Sequence, residues 1–476
     1  MVIRDWLAAW RSSGKRGRAS LRRWGVEVLE SRTLLSGSPV LVKDINTVPE
    51  IFLTGLGELT DVNGTLYFRN FSATTGLELW KSDGTAAGTK LVKDIYVGPG
   101  SPNIESLTNV NGTLYFRAND GLNGSELWKT DGTEAGTVRV KDLRSGSFDS
   151  SPDNLTNVNG TLYFSAWGDG VGVELWKTDG TDTGTVLVKD IEVGVSSSYP
   201  TNLTNANGVL YFTAYTTANG YEVWKSDGTD AGTVLVREIY PVAGNSSTSP
   251  WNLTNVNGTL FFTANNGTSG VELWKSDGTA AGTVQVKDIL SGSGTSNPSL
   301  LTNVNGTLFF RADDGVNGAE LWKSDGTEAG TTLVENLTAG AAGSTLSNFV
   351  SFNNQLYFSA NDGVSGTELW KSDGTEAGTS LVKDIRPGSS SGNVTEIVKV
   401  GSSLFFSASD TTGGQELWKS DGTESGTVRV KDIRSSFSNS SLADKFRWGN
   451  RHPASSRKIG AKLTCAFSTE DAESAL

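Results

Sequence analysis

The sequence predicts an all-β protein, an eight-bladed β-propeller, from three observations. A twelve-residue phrase, "ELWKSDGTEAGT" at residues 368–379, occurs in eight similar copies. The tryptophans of successive copies are 48 residues apart, or 50 at one step, and propeller blades have about 40 to 50 residues. Each unit also contains four short β-rich runs separated by turn residues. The eight tryptophans are Trp80, Trp128, Trp176, Trp224, Trp274, Trp322, Trp370 and Trp418.

Four strands, named A to D, can be placed in order within one unit. In residues 107–143, strand A is "LTNV", and Asn111-Gly112 leads into strand B, "TLYFRA". A Gly/Asn-rich loop leads to strand C, "ELWKT", and the turn "DGTEAGT" leads to strand D, "VRVKDL". Asn-Gly and Asp-Gly steps favour tight hairpins because these residues tolerate positive φ. Each unit is therefore predicted to be an antiparallel four-stranded meander.

The strands are apolar on both faces, which favours stacked blades. In strand B, Leu114 and Phe116 point to one face and Tyr115 to the other, and in strand C Leu127 opposes Trp128. A sheet that is apolar on both faces must be covered on both, and radial stacking of blades does this. An open β array built from the same units is the alternative.

The strand D phrase occurs nine times, because "VLVKDI" at residues 40–45 precedes the first complete unit. This early copy either completes or replaces the outer strand of the last blade, or it is a spare strand at an edge.

Charge divides the chain into three parts. Residues 1–39 carry a net charge of +5, residues 40–433 carry −20, and residues 434–476 carry +3. We interpret these parts as a basic N-terminal segment, the propeller, and a non-repeat tail that is expected to be disordered. A propeller with this large negative charge repels phosphate backbones, and nucleic acid is therefore not an expected partner. No apolar stretch approaches the roughly 18 residues of a transmembrane helix.

The positions of histidine and cysteine restrict the chemistry of the repeats. The only histidine, His452, and the only cysteine, Cys465, lie in the tail. Disulfides, thiolate metal sites and Ser/His/Asp triads are therefore excluded from the repeats. The Glu of each "ELW" could act as a carboxylate catalyst, but an active site needs one asymmetric group of residues with different pKa values. We therefore predict that the chain is not an enzyme; a hydrolase that uses paired carboxylates on variable loops is the alternative.

The phrase itself is predicted to be structural. Its Trp packs between blades and its indole N–H needs a partner, while the Asp of "DGT" accepts backbone N–H groups in an Asx turn. Lys129 and Asp142 are expected to pair across the hairpin. Calcium is the alternative ligand of the aspartates, but it takes about six to eight oxygens and the turn supplies one carboxylate in every copy. No cofactor is predicted, and calcium is not favoured.

The repeated residues resemble those of the bacterial ELWxxDGT repeat proteins over residues 40–433, with Val223 replacing Leu in one copy. The resemblance implies a propeller-like surface protein and no assigned reaction. The stretch "VEVLESRTLLSGSP" at residues 26–39 resembles the LEPR-XLL segment of exported bacterial proteins, with Ser31 in place of Pro. The resemblance implies that residues 1–39 are a sorting or export-type segment and that the protein has an extracellular or cell-envelope location. The matching residues are Leu29, Glu30, Arg32, Leu34 and Leu35.

Strand order predicts two unlike rims. The A–B and C–D turns, which are nearly identical between units, fall on one rim, and the variable B–C loops and D-to-A connections fall on the other. The variable rim is therefore predicted to bind a ligand. Aromatic rings beside acids and amides suit a sugar or a peptide, although each of these residues could instead be a loop anchor. The candidates are Trp167, Tyr215, Trp251, Asp120, Asp169, Asp314 and Asp362.

These observations predict a non-catalytic, exported adhesion module that binds a polysaccharide or a protein at the cell surface. One alternative is an architectural envelope or matrix protein without a discrete site, and another is an adhesin stabilised by calcium.

Overall fold

The computed structural model describes residues 57–430 apart from positions 73, 99, 241–248, 341–342 and 413. Within these ranges the chain is all-β, and eight four-stranded antiparallel blades are arranged in a ring. The predicted eight-bladed propeller is confirmed. No segment in these ranges forms a helix of the length and apolarity that crossing a bilayer requires.

Two further strands are described outside the propeller by their backbone alone. Gly25–Glu27 and Ala466–Ser468 pair antiparallel as a two-stranded sheet. The rest of segment 1–39, of tail 434–476 and the early strand D phrase at 40–45 lie outside the described residues. The predicted export, the predicted disorder of the tail and the role of residues 40–45 therefore stay predictions.

Each blade contains strands A to D in sequence order. Strand A spans Gly57–Val62, Glu105–Val110, Asp153–Val158, Thr201–Ala206, Trp251–Val256, Ser299–Val304, Ser347–Phe352 and Thr395–Val400 in blades 1 to 8. Strand B spans Thr65–Ser72, Thr113–Asn119, Thr161–Gly168, Val209–Thr216, Thr259–Asn265, Thr307–Asp313, Gln355–Asn361 and Ser403–Ser409. Strand C spans Gly76–Ser82, Ser125–Thr130, Val171–Thr178, Gly220–Ser226, Val271–Ser276, Ala319–Ser324, Thr367–Ser372 and Gln415–Ser420. Strand D spans Lys90–Lys93, Val138–Arg139, Val186–Lys189, Val234–Arg237, Val284–Lys287, Thr332–Glu335, Ser380–Lys383 and Val428–Arg429.

The A–B hairpin forms at the Asn-Gly step, as predicted. In blade 2, Val110 pairs with Thr113 across the turn, and Asn111 and Gly112 have φ values of 51° and 92°. Two consecutive residues with positive φ match the twist of the flanking strands, and Asn and Gly adopt this conformation at low cost.

The first Asn of "TNVNGT" connects neighbouring blades. The Asn109 Oδ1 accepts the Gly112 N–H at 2.9 Å, while its Nδ2 donates to the carbonyl of Asp61 in blade 1 at 3.3 Å. Asn205 in blade 4 makes the same pair of contacts, to Gly208 and to the carbonyl of Asn157. The side chain therefore closes its own A–B turn and also holds two consecutive A strands side by side.

The hydrophobic core lies between blades rather than within one layer. Tyr67 and Leu79 of blade 1 cluster with Phe116 and Trp128 of blade 2. The same arrangement recurs at each boundary from blades 2/3 to blades 7/8. Because burying such a side chain contributes about 1.5 to 3 kcal/mol, these boundaries supply most of the cohesion of the ring. The predicted packing of the Trp between blades is confirmed.

The indole N–H groups are satisfied unevenly. Trp176 and Trp418 donate to the carbonyls of Ala166 and Ala408 at 3.1 and 3.2 Å. Among the described atoms, five other indole nitrogens are buried without a hydrogen-bond partner, so the expectation of one partner for each Trp is only partly met. They belong to Trp80, Trp128, Trp274, Trp322 and Trp370.

Candidate functional site

The Glu of each "ELW" is buried and holds the connection to the next blade. In blade 2, Glu126 is fully buried. Its Oε1 accepts the Ser150 N–H at 3.1 Å, and its Oε2 accepts the Ser150 hydroxyl at 2.6 Å and the Leu143 N–H at 3.1 Å. Leu143 and Ser150 lie at the two ends of the D-to-A connection, so this one carboxylate sets the path of a variable-rim loop.

Glu174 does the same in blade 3. It accepts the Ser198 N–H at 2.8 Å, the Ser198 hydroxyl at 2.5 Å and the Ile191 N–H at 3.0 Å. Burial raises the pKa of Glu126 and of Glu174 to about 7, although the hydrogen bonds from the two serines act in the opposite direction. Reasoning from the sequence considered this Glu only as a possible catalyst and missed its structural role. A single acidic residue directly before the apolar Leu-Trp or Val-Trp pair of every strand C was the available signal.

The same serines fix the ends of the B strands. The Ser150 carbonyl accepts the Trp167 N–H at 2.9 Å, and the Ser198 carbonyl accepts the Tyr215 N–H at 2.7 Å. A chain of contacts therefore runs from Glu126 through Ser150 to Trp167. The residues beside Ser150, namely Asp149 and Ser151, are held with it.

These anchored segments form the walls of a cleft of about 500 Å³ on the variable rim, spanning blades 2 and 3 and the start of blade 4. Pockets that bind small ligands in proteins have about 300 to 1,000 Å³. Two aromatic residues line the cleft: Trp167, which is half-buried, and Tyr199, which is 48% exposed. Its polar walls include Glu105, Arg117, Asn119, Asp149, Asp153 and Asn154.

The cleft is acidic. Arg117 is its one cationic wall residue and forms an ion pair with Glu105. Asp149 accepts the Ser125 N–H at 2.7 Å, and Asp153 accepts the N–H of the following residue at 2.9 Å. Three carboxylates therefore face one guanidinium across the cleft.

A cation of the neighbouring loop packs on Trp167 and is not itself among the residues that line the cleft. The Arg144 guanidinium is 5.3 Å from the ring centroid of Trp167 and 5.0 Å from that of Phe148. Arg144 and Phe148 both belong to the connection between blades 2 and 3. This loop therefore packs one of its own cations on the cleft tryptophan.

Three of the predicted ligand-binding aspartates are turn acceptors. Asp120 accepts the N–H groups of Leu122 and Asn123 at 2.9 and 2.8 Å. Asp314 and Asp362 make the equivalent bonds in the B–C loops of blades 6 and 7. The hydrogen bonds that they accept lower the pKa of all three, against the effect of partial burial. The structure thus gives them the role of loop anchors.

The other four candidates are not brought together in one place. Asp169 accepts the N–H and the hydroxyl of Ser145 and so ties a B–C loop to a connection. The Tyr215 ring packs against Tyr221 with centroids 5.2 Å apart. Trp251 is 44% exposed and begins strand A of blade 5. Of the seven candidates, only Trp167 lines the cleft.

The "DGT" turns on the opposite rim form as predicted. In blade 2, the Asp131 Oδ1 accepts the Thr133 N–H at 2.8 Å and the Thr133 hydroxyl at 2.7 Å. In all the residues that the structure describes, no group of three or more His, Cys, Asp or Glu side chains is placed to hold a metal ion.

The lysine that follows the Trp donates to the next blade rather than to its own hairpin in blades 3, 4, 6 and 7. Hydrogen bonds from Thr181 lower the pKa of Asp179 in blade 3, and the charge of Lys129 in blade 2 lowers it further. Asp142, the partner expected for Lys129, forms an ion pair with Arg139 at 3.3 Å instead. Lys177 likewise donates to a carbonyl of the next blade, that of Gly228, at 2.8 Å.

The fold and the cleft together place the protein in the structural class of β-propellers, with a cleft on one rim. No family model and no curated protein matches the sequence. Among solved structures, the chain is similar to a prolyl endopeptidase, with 12% identity and a TM-score of 0.43 over 70% of this chain and 50% of that one. It is also similar to oligopeptidase B from Leishmania major, with 10% identity and a TM-score of 0.42 over 79% and 48%. A third similar structure is the β-propeller domain of the Trilobed protease from Pyrococcus furiosus, with 10% identity and a TM-score of 0.34 over 66% and 94%.

The chain spans about half the length of the first two peptidases that it resembles, at 50% and 48%. Two predictions from the sequence are wrong by this comparison, because the similar proteins are peptidases. They are the prediction of a non-catalytic adhesion module and the prediction that the chain is not an enzyme.

Proposed function

We propose that the chain is a peptidase-associated propeller that binds peptide in the cleft of blades 2 to 4. The observation that carries this proposal is the cleft of about 500 Å³, which lies on the rim where the loops differ between blades. The peptidase context comes from the similar solved structures, whereas the binding site comes from this chain's own residues.

The chemistry of the walls suits an extended peptide. The Asn119 Oδ1 accepts the Gly121 N–H at 2.7 Å, so its amide N–H groups are the ones to offer to a peptide C=O. The Asn154 Nδ2 donates to Ser165 and to the Pro200 carbonyl, so its amide oxygen is the atom to offer to a peptide N–H. Trp167 and Tyr199 offer ring faces to a side chain. Backbone recognition by amides and side-chain recognition by rings and carboxylates can therefore occur in one cleft.

In this proposal the propeller recognises the peptide and a separate catalytic unit cleaves it. A Ser-His-Asp triad, a common route to peptide hydrolysis, requires a histidine. The only histidine of the chain is His452, which lies outside the described residues. A triad built within the propeller would have no general base, so we assign the cleavage step to groups beyond residues 57–430.

A binding measurement with two tryptophan variants tests the proposal. An array of capped heptapeptides is screened with the full chain, and the best binder is measured by fluorescence anisotropy. Trp167→Ala should weaken binding at least tenfold, which corresponds to about 1.4 kcal/mol. Trp251→Ala, an exposed tryptophan of blade 5 outside the cleft, should leave affinity unchanged.

Unfolding midpoints of both variants establish that the fold is intact. The proposal is contradicted if the chain binds no peptide of the array, if it binds members of an oligosaccharide array instead, or if the two variants lose peptide affinity equally.

A further inference from the structure

We infer that Arg311, on strand B of blade 6, binds a carboxylate ligand at a second site on the variable rim. Arg117, at the same repeat position in blade 2, lines the cleft of blades 2 to 4 on that rim. The second site belongs to blades 6 and 7, so the inference goes beyond the proposed function and is tested separately from it.

The pleat of strand B turns Arg311 towards blade 7. Phe309 packs at the boundary of blades 6 and 7 with Phe358 of blade 7, and Arg311, two residues further along the same strand, lies on the same face. Arg69, at this position in blade 1, reaches the next blade in the same direction, since its Nη1 donates to the carbonyl of Ile104 at 3.1 Å. The Arg311 side chain is therefore placed at the boundary of blades 6 and 7.

Arg311 is half-buried and lacks the partners of its two equivalents. Arg69 donates to the Ile104 carbonyl, and Arg117 has Glu105 as an ion-pair partner. The Nε of Arg311 is buried without a hydrogen-bond partner among the described atoms, and Arg311 takes part in none of the ion pairs among the described residues. A buried donor without an acceptor costs free energy, so an acceptor that a ligand brings is favoured here.

The carboxylates that line the cleft around Arg117 are replaced by neutral residues at the equivalent positions of blades 6 and 7. Ser299 pairs with Arg311 across strands A and B, as Glu105 pairs with Arg117. The unit thus keeps the cation and replaces its acids. In full, Glu105, Asp149 and Asp153 correspond to Ser299, Gly343 and Ser347.

The acidic residue nearest to Arg311 along the strand is Asp313, which lies on the same face. Its Oδ1 accepts the Gly315 N–H at 2.7 Å in the B–C turn. It forms no ion pair with Arg311. The guanidinium charge is therefore not neutralised by an ion pair with any carboxylate that the structure describes.

The geometry of the donors favours a carboxylate over other anions. The Nε–H and one Nη–H of a guanidinium are parallel and lie in one plane, and the two oxygens of a carboxylate accept both at once. The unpartnered Nε of Arg311 is one of these two donors. A single-atom anion such as chloride cannot match the pair.

NMR signals of the arginine Nε–H groups test the site. The full chain, labelled with 15N-arginine, is titrated with sodium acetate at an ionic strength held constant with sodium chloride. The Arg311 signal, identified by its loss in Arg311→Lys, should shift and saturate because its proton enters a charge-assisted hydrogen bond. The Arg117 signal should not respond, because that guanidinium already has a carboxylate.

Three capped peptides distinguish the source of the carboxylate. Acetyl-triglycine carries it at the C-terminus, acetyl-glycyl-aspartyl-glycine amide carries it on a side chain, and acetyl-triglycine amide carries none. The neutral amide should leave the Arg311 signal unchanged. The acidic peptide with the lower Kd identifies the source.

Ser299→Glu provides a variant that keeps Arg311 and fills its site. It supplies in blade 6 the carboxylate that Glu105 supplies in blade 2, and it should weaken acetate binding at least about tenfold. Ser299→Gln, of the same size without the charge, is the matched control and should titrate like the wild type. Unfolding midpoints of all variants confirm folding.

The inference is overturned if the Arg311 signal shows no saturable shift with acetate or with either acidic peptide. An equal shift with the neutral amide overturns it as well, and so does equal acetate affinity of Ser299→Glu and Ser299→Gln. None of these variants alters a residue that lines the cleft of blades 2 to 4, so failure here leaves the proposed peptide binding standing.

Discussion

Glu126 and its seven equivalents are carboxylates on the buried side of strand C, and each is at most 3% exposed. Such a group is costly unless it is hydrogen-bonded. Glu126 satisfies this need with three donors from the next connection. Glu126 therefore has two structural roles: it completes the packing of its blade, and it fixes the loop that carries Asp149 and Ser150.

The pKa values of these glutamates predict how stability depends on pH. Burial raises the pKa from 4.5 to about 8 for Glu78 and to about 7 for Glu126 and Glu174. The folded state thus holds these protons more tightly than the unfolded chain does. Their contribution to stability is fully present below pH 4.5 and is lost as pH rises to 7 or 8.

The aspartates of the "DGT" turns act with the opposite sign. Hydrogen bonds from Thr133 lower the pKa of Asp131 below 3.8, so its contribution is present above that value and is lost in stronger acid. The urea midpoint should therefore be highest near about pH 4 to 5 and should fall towards about pH 8. Glu126→Gln should flatten the alkaline fall. A midpoint that rises between about pH 5 and pH 8 would contradict this account.

Sequence reasoning succeeded for Asp131 and failed for Glu126 because of where their partners lie. The partner of Asp131 is two residues away, within one turn, and local geometry predicts it. The partners of Glu126 lie 17 and 24 residues away, in a connection whose path is set by the packing of two blades. Strand periodicity places the carboxylate on a face but does not identify its donors.

At the scale of an element, the C–D turn explains why "DGTEAGT" varies so little. Thr130 and Thr137 join its two ends through a buried hydroxyl–hydroxyl bond of 2.7 Å. The Gly136 N–H donates to the Thr133 hydroxyl at 2.9 Å. A Cβ on Gly136 would lie 2.1 Å from the Asp131 Oδ1. The position of the Asp131 carboxylate therefore leaves no room for a side chain at Gly136, the second glycine of the phrase.

This contact predicts a coupled pair of substitutions. Gly136→Ala should destabilise the propeller by about 1 to 3 kcal/mol, because the new methyl displaces the Asp131 carboxylate. Asp131→Ala should cost about 1 kcal/mol through its lost hydrogen bonds. The double variant should cost clearly less than the two together, because one substitution removes the obstacle that the other meets. Urea unfolding of the four proteins measures the coupling, and strictly additive costs would show that the close approach is unimportant.

The B–C loops show where a correct physical rule was applied too narrowly. The Asx geometry predicted for the "DGT" turns also occurs at Asp120, Asp314 and Asp362, which were predicted to bind a ligand. Each lies two or three residues before the N–H groups that it accepts. Their spacing to the following residues was therefore a local signal for an anchor.

At the scale of the whole molecule, the ring separates a constant rim from a variable one. This division followed from the strand order and could be predicted, because an A-to-D meander forces alternate connections to opposite ends of the blade. The cleft could not be predicted. Its walls include residues 103–105, 149–154 and 199–201, which belong to successive units and become neighbours only when the blades stack side by side.

The central claim is that the variable rim of blades 2 to 4 is where the protein meets a peptide. Amide hydrogen exchange of the full chain, with and without the best-binding heptapeptide, tests it most directly. The account predicts new protection in residues 103–105, 149–154 and 199–201, and no change in the "DGTEAGT" turn at residues 131–137. Protection confined to the turns of the opposite rim, with none in the three cleft segments, would contradict it.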